Sequence, residues 1–157
     1  MADFDAKAHL AASARRAQTL LTNDINALSA EAQTTQHGGC VLTPVKMVAE
    51  CAAFNSFIAD LASGAPVSPP QEGWREALFA QYNTTEKAVA FLETSTEKLA
   101  AACEKLDAST MGEVIETPMG RPMTRFALIE MPIGHMTYHD GQLNYIQALH
   151  GDSAMHW

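Results

Sequence analysis

Hydrophobic positions recur at threes and fours along four long stretches of this chain, and segments rich in turn-forming residues separate them. From Asp5 to about Glu31, Leu10, Ala14, Ala17, Leu21, Ile25 and Leu28 mark one helix face, with no Gly or Pro to interrupt it. Gly38-Gly39 opens a loop, after which Thr43-Pro44 offers an N-cap and a proline at the first helical position. The second helix then runs to about Ala62, with Met47, Cys51, Phe54, Phe57, Ile58 and Leu61 inward, and stops at Ser63-Gly64-Ala65-Pro66. In the third, Thr84 to Leu106, the inward stripe is Ala88, Leu92, Leu99, Cys103 and Leu106. Its charged residues, Glu86, Lys87, Glu93, Glu97 and Lys98, form the solvated face.

The fourth helix is expected from about Met123 to His150. At about 100° per residue, Leu128, Met131, Met136, Leu143, Ile146 and Leu149 gather on one side, and Glu130, Thr137, Asn144 and Gln147 on the other. Phe126 and Ile133 fit this stripe poorly, and Pro132 can kink the helix one turn before His135. Between the helices, Val67-Ser68-Pro69-Pro70 is a rigid connector, Gly73-Trp74 to Tyr82 is a short helix or a lid, and Val114 to Thr117 can be briefly extended. The tail from Gly151 to Trp157 is expected to dock on the body through its Trp. Four amphipathic helices predict an all-α protein, a four-helix bundle occupying residues 1–157 as one domain, whose long connectors permit crossover connections.

Two kinds of polar residue violate the inward stripes. His135 and His139 lie one turn apart in the middle of the apolar side of the fourth helix, so both imidazoles can reach one ion. Glu50 sits inside the apolar stripe of the second helix, where an isolated carboxylate must take up a proton or find a cation. Each anomaly answers the other. Glu50, His135 and His139 either form a two-histidine, one-carboxylate metal site with open coordination positions, or a buried ion pair in which a protonated His or one of the few Arg balances the carboxylate. Gln142, close to His135 on the wheel, could donate to a bound water or to a ligand, and Asp24, at the edge of the first stripe, could hold an imidazole. Tyr138 projects sideways, as for packing at a helix interface, and His9 is expected at the surface.

Composition narrows the function classes. The chain has 157 residues, 47% of them hydrophobic, enough to close a core without staples. Eighteen acids against ten Lys plus Arg give a net charge of −8, with the basic residues scattered. Phosphate backbones and anionic membranes demand clustered positive charge, so neither is an expected partner. No run approaches the eighteen or so apolar residues of a membrane span, and the N-terminus reads as no signal peptide, so a cytoplasmic protein is expected. Cys40, Cys51 and Cys103 lack metal-type spacing and read as reduced thiols, the latter two as small apolar packing residues and Cys40 as the one to probe for reactivity.

The run His135-x-x-Tyr138-His139-x-Gly141-Gln142-Leu143 followed by Gly151-Asp152, together with Thr43-Pro44 through Ala49-Glu50-Cys51-Ala52-Ala53-Phe54-Asn55, resembles the DinB-like family of bacterial four-helix bundles. The resemblance implies an up-down-down-up bundle, a homodimer, and three histidines that hold a divalent ion such as nickel or zinc. His135 and His139 match the two ligands of the last helix, and Glu50 stands where the family has a histidine. Either Glu50 ligates as a carboxylate, moving preference toward nickel, manganese or iron, or His37 or a water takes the third place. Some relatives are thiol-dependent transferases or isomerases that activate a low-molecular-weight thiol such as bacillithiol or mycothiol. The expectation is therefore a metal-dependent enzyme acting on a small molecule, by thiol transfer or by hydrolysis. A non-catalytic metal-binding or stress-response module is the alternative.

Overall fold

A computed structural model describes residues 4–68 and 70–156. Met1 to Asp3, Pro69 of the expected connector and Trp157 of the expected docked tail lie outside the described residues. The first helix, α1 (Ala6–Ala27), begins where Asp5 accepts hydrogen bonds from the Lys7 and Ala8 amides. It ends one turn before the expected Glu31. Leu28 turns to an extended conformation and drops into the core, and Ser29 caps a separate short helix, α2 (Ala30–Thr34). Helix α3 (Pro44–Ala62) starts on the Thr43 cap with Pro44 in its first turn, as the sequence predicts.

The segment expected to be a short helix or a lid is a helix, α4 (Trp74–Gln81), with no fully buried residue. Helix α5 (Thr85–Lys105) is capped by Thr84, and α6 (Arg125–Leu149) runs through Pro132 without ending. In the connector between them, β1 (Val114–Ile115) pairs antiparallel with β2 (Met123–Thr124), so the fourth long helix starts two residues later than expected, on a Thr124 cap. The sequence allows an extended segment at Val114 to Thr117 but carries no signal for its partner at Met123–Thr124.

Two apolar clusters give the direction of each helix. One contains Leu21 and Ile25 near the end of α1, Val45 and Val48 near the start of α3, Ala88 and Leu92 near the start of α5, and Leu143 and Ile146 near the end of α6. The other contains Leu10, Ile58, Leu99 and Leu128, from the opposite ends. Helices α1 and α6 therefore run up while α3 and α5 run down, giving an up-down-down-up bundle in which α6 lies against both α1 and α3. A helix with two neighbours buries more than a single stripe. Gln147, expected on the polar side, is accordingly 2% exposed and faces α1, while Leu149, expected inward, is exposed. The tail returns to α1, where Asn23 donates to the His156 carbonyl at 2.9 Å. No described helix is long and apolar enough to cross a membrane.

Candidate metal centre

Helices α3 and α6 bring Glu50, His135 and His139 together. The Nε2 atoms of the two histidines are 3.1 Å apart, and Glu50 Oε2 lies 3.5 Å from His139 Nε2 and 4.0 Å from His135 Nε2. A point equidistant from these three atoms lies about 2.1 Å from each, which is the bond length of a first-row divalent ion to nitrogen or carboxylate oxygen. The spacing of these three donors therefore suits one ion. Glu50 and His139 are buried, and His135 is partly open.

The surroundings fix each donor. His139 Nδ1–H donates to Gln142 Oε1 at 2.7 Å, leaving its Nε2 turned toward the centre. Gln142 in turn donates from Nε2 to the Tyr138 hydroxyl at 3.1 Å. A helical wheel sets Gln142 close to His135, but its partner is His139, three residues back and on the same face. Tyr138, expected to pack at a helix interface, is 62% exposed and accepts from Gln142 through its hydroxyl. His135 meets the Phe54 ring edge-on, and its Nδ1 is buried without a hydrogen-bond partner.

Charge is balanced by Arg75, whose Nη2 contacts Glu50 Oε1 and leaves Oε2 for the imidazoles. The hydrogen-bonding His139 ring holds the Glu50 carboxyl below its ordinary range, against the opposing effect of burial and with help from Arg75. Burial pushes His135 down, and nearby His139 adds to this. The lowered His135 favours the unprotonated imidazole that a metal requires, whereas the hydrogen bond that lowers Glu50 places a proton on His139 Nε2, which an ion would displace. Sequence reasoning allowed for an arginine partner of Glu50 without identifying Arg75, because α4 reaches the site only through the crossover between α3 and α5.

Cys51, a packing residue by its sequence pattern, also faces the centre. Cys51 Sγ and a ring nitrogen from each of His135 and His139 all lie within 4.8 Å of one another, so these three residues form a possible metal-binding group. Cys51 is fully buried, and its thiol points at the His135 carbonyl at 4.0 Å. Burial, with the neighbouring Glu50 carboxylate, pushes the thiol well above its ordinary range in the absence of an ion. Two expected auxiliaries lie elsewhere. Asp24 accepts from Asn144 and Gln147 between α1 and α6 and holds no imidazole. His37 donates to the Ala32 carbonyl at 2.8 Å and stands edge-on to His150, beside a separate cavity of about 260 Å³.

A larger cavity, about 690 Å³, opens onto the centre. Its walls include Phe54, Phe57, Trp74, Met119 and Met131, and Glu50, Arg75 and His135 supply its polar groups. The site is therefore a donor cluster at the edge of an apolar chamber.

No protein-family model and no curated protein sequence matches this chain. Among solved structures, the chain is similar to a crystal structure of a point mutant of the mycothiol-dependent maleylpyruvate isomerase. The TM-score is 0.70 at 13% sequence identity, over 86% of this chain and 59% of that one. The two share a helical fold, and this chain matches about three fifths of the isomerase's length.

Proposed function

We propose that this protein is a divalent-metal-dependent enzyme of the DinB-like type that transfers a low-molecular-weight thiol to, or isomerises, a small electrophile. The observation that carries the reading is the 690 Å³ apolar cavity opening onto Glu50 and His135. A binding module would have its donors sealed, whereas these face a chamber large enough for a small substrate. In the same fold, the mycothiol dependence stated for the similar isomerase supports the thiol as nucleophile. Thiol transfer is favoured over hydrolysis because the walls are aromatic and thioether side chains, which admit an apolar electrophile and discourage water.

Glu50, His135 and His139 would hold the ion, nickel or zinc in the family's pattern and manganese or iron if the carboxylate dominates. When bound, a divalent ion lowers the pKa of a coordinated thiol or water and supplies a nucleophile near neutral pH. Gln142 orients His139, Arg75 fixes the carboxylate, and Phe54, Phe57 and Trp74 hold the apolar body of the substrate against the donors.

The test is elemental analysis of protein purified without an affinity tag, with His139→Ala and Glu50→Ala beside wild type. Near-stoichiometric metal in wild type and its loss in His139→Ala are expected, followed by metal-dependent consumption of mycothiol or bacillithiol with a panel of electrophiles. Wild-type protein that is empty and cannot be loaded with nickel, zinc or manganese would leave Glu50, Arg75 and the histidines as a buried ion-pair network and end the enzymatic reading.

A further inference from the structure

The geometry points to Cys51 as a fourth protein donor, a thiolate that binds the ion from the buried side of the Glu50, His135 and His139 triangle. The inference rests on the metal-dependent reading above and concerns how the ion is chosen. Three observations carry it. Cys51 is fully buried, and its sulfur lies within 4.8 Å of ring nitrogens from both histidines. The thiol is aimed across the α3–α6 interface at the histidine turn, where its nearest acceptor is a main-chain carbonyl at 4.0 Å, a weak contact that a stronger partner would replace. Finally, Cys51 is absent from the wall of the large cavity, whereas Glu50 and His135 belong to it. The sulfur therefore approaches from the core while the cavity side stays open for substrate.

An ion bonded to imidazole nitrogen and thiolate sulfur holds the two about 3.6 Å apart. Between the sulfur and the imidazole nitrogens, the 4.8 Å ceiling therefore leaves about an ångström at most to close, a distance on the scale of a side-chain rotation of Cys51. On coordination the S–H bond breaks, the proton leaves to solvent, and the sulfur–metal bond forms, so no oxidant or co-reactant is required. A thiolate changes the expected cargo. Oxygen and nitrogen donors alone accept manganese or iron, but sulfur shifts preference toward zinc and its spectroscopic substitute cobalt(II). Glu50 and Cys51 are consecutive in sequence, about 100° apart on α3, and each approaches the His135–His139 turn of α6, Glu50 through Oε2 and Cys51 through its sulfur.

Cobalt(II) titration of the full chain tests this, with Cys40→Ser/Cys103→Ser as background so that Cys51 is the single thiol. One bound equivalent with a thiolate-to-cobalt charge-transfer band in the near ultraviolet is expected. Cys51→Ser should lose the band, weaken cobalt and zinc binding by at least about tenfold, and weaken manganese binding by less. One bound cobalt with ligand-field bands but no charge-transfer band overturns the inference and leaves the two-histidine, one-carboxylate centre standing. Failure to bind cobalt at all overturns both. The spectrum of the Cys40→Ser/Cys103→Ser background, in which Cys51 is the single thiol, decides the matter even where the Cys51→Ser variant folds poorly.

Discussion

Gln142 shows how one side chain sets the chemistry of another. Its amide oxygen accepts the His139 Nδ1–H and its amide nitrogen donates to Tyr138, so the imidazole is held with Nε2 toward the centre. Gln142→Leu keeps the volume and removes the acceptor. Metal affinity, measured by competition with a chromophoric chelator, should fall about 10- to 100-fold while the helical circular dichroism stays unchanged; unaltered affinity would show that packing alone orients the ring. Asp140, on the same turn, carries a different burden. Its Oδ1 is buried without a hydrogen-bond partner, and burial, reinforced by neighbouring Asp24, pushes its pKa up to about 7. An acid raised in the folded state is protonated there while ionised in the unfolded chain, so this contribution to stability is lost as pH rises from its ordinary value of 3.8 through about 7. Asp140→Asn does not titrate, and its melting temperature relative to wild type should be higher at pH 8 than at pH 5. An equal difference at both would mean that the pair shares no proton. At this scale the inward positions of Glu50, His135 and His139 were legible because polar residues in apolar stripes are conspicuous. Cys51 was not, because a buried thiol and a packing residue have the same sequence signature.

Helix α4 is the least anchored of the elements that bear on the site. It buries no residue fully, and its Arg75 spans to Glu50 from a side chain that is 56% exposed. Arg75→Ala should therefore leave the bundle's thermal midpoint nearly unchanged while amide hydrogen exchange in 74–81 accelerates several-fold. If exchange there is unaffected, the apolar contacts of Leu78 and Phe79 with the first core cluster, and not the ion pair, hold α4 in place. Elements of this kind explain which parts of the fold could be read in advance. The long helices were visible because apolar positions recur at threes and fours along each of them, and Asp5, Thr43, Thr84 and Thr124 cap them locally. The break at Leu28 escaped, since it depends on a leucine leaving the helix to fill the core, as did β2, whose two residues form a strand only through pairing with β1. Gln147 escaped for a related reason: a wheel drawn for one neighbour cannot show the arc that α6 buries against a second.

The donors lie where the halves of the bundle meet. Cys51 and Met136 belong to the first core cluster, while Phe54 and Ile129, one turn or two away, belong to or pack on the second. An ion there would join a descending helix to an ascending one across the middle of the molecule, with no counterpart in the unfolded chain, where residues 50 and 135 are far apart in sequence. Binding to the folded state alone adds RT ln(1 + [L]/Kd), about 2.7 kcal/mol when free metal is at a hundred times Kd. In a domain of this size each kcal/mol moves the melting temperature by about 2–4 °C, so the metal-loaded protein should melt roughly 5–10 °C above the chelator-treated one. The increment should grow with the logarithm of free metal concentration and vanish in His135→Ala. Cobalt and zinc should raise the midpoint more than manganese if Cys51 ligates, and by comparable amounts if Glu50 and the imidazoles act alone. A melting temperature indifferent to every ion would mean that α3 and α6 are held together by the contacts of Glu50 with the two imidazoles and by apolar packing alone, because an ion bound between α3 and α6 cannot fail to favour the state in which they touch.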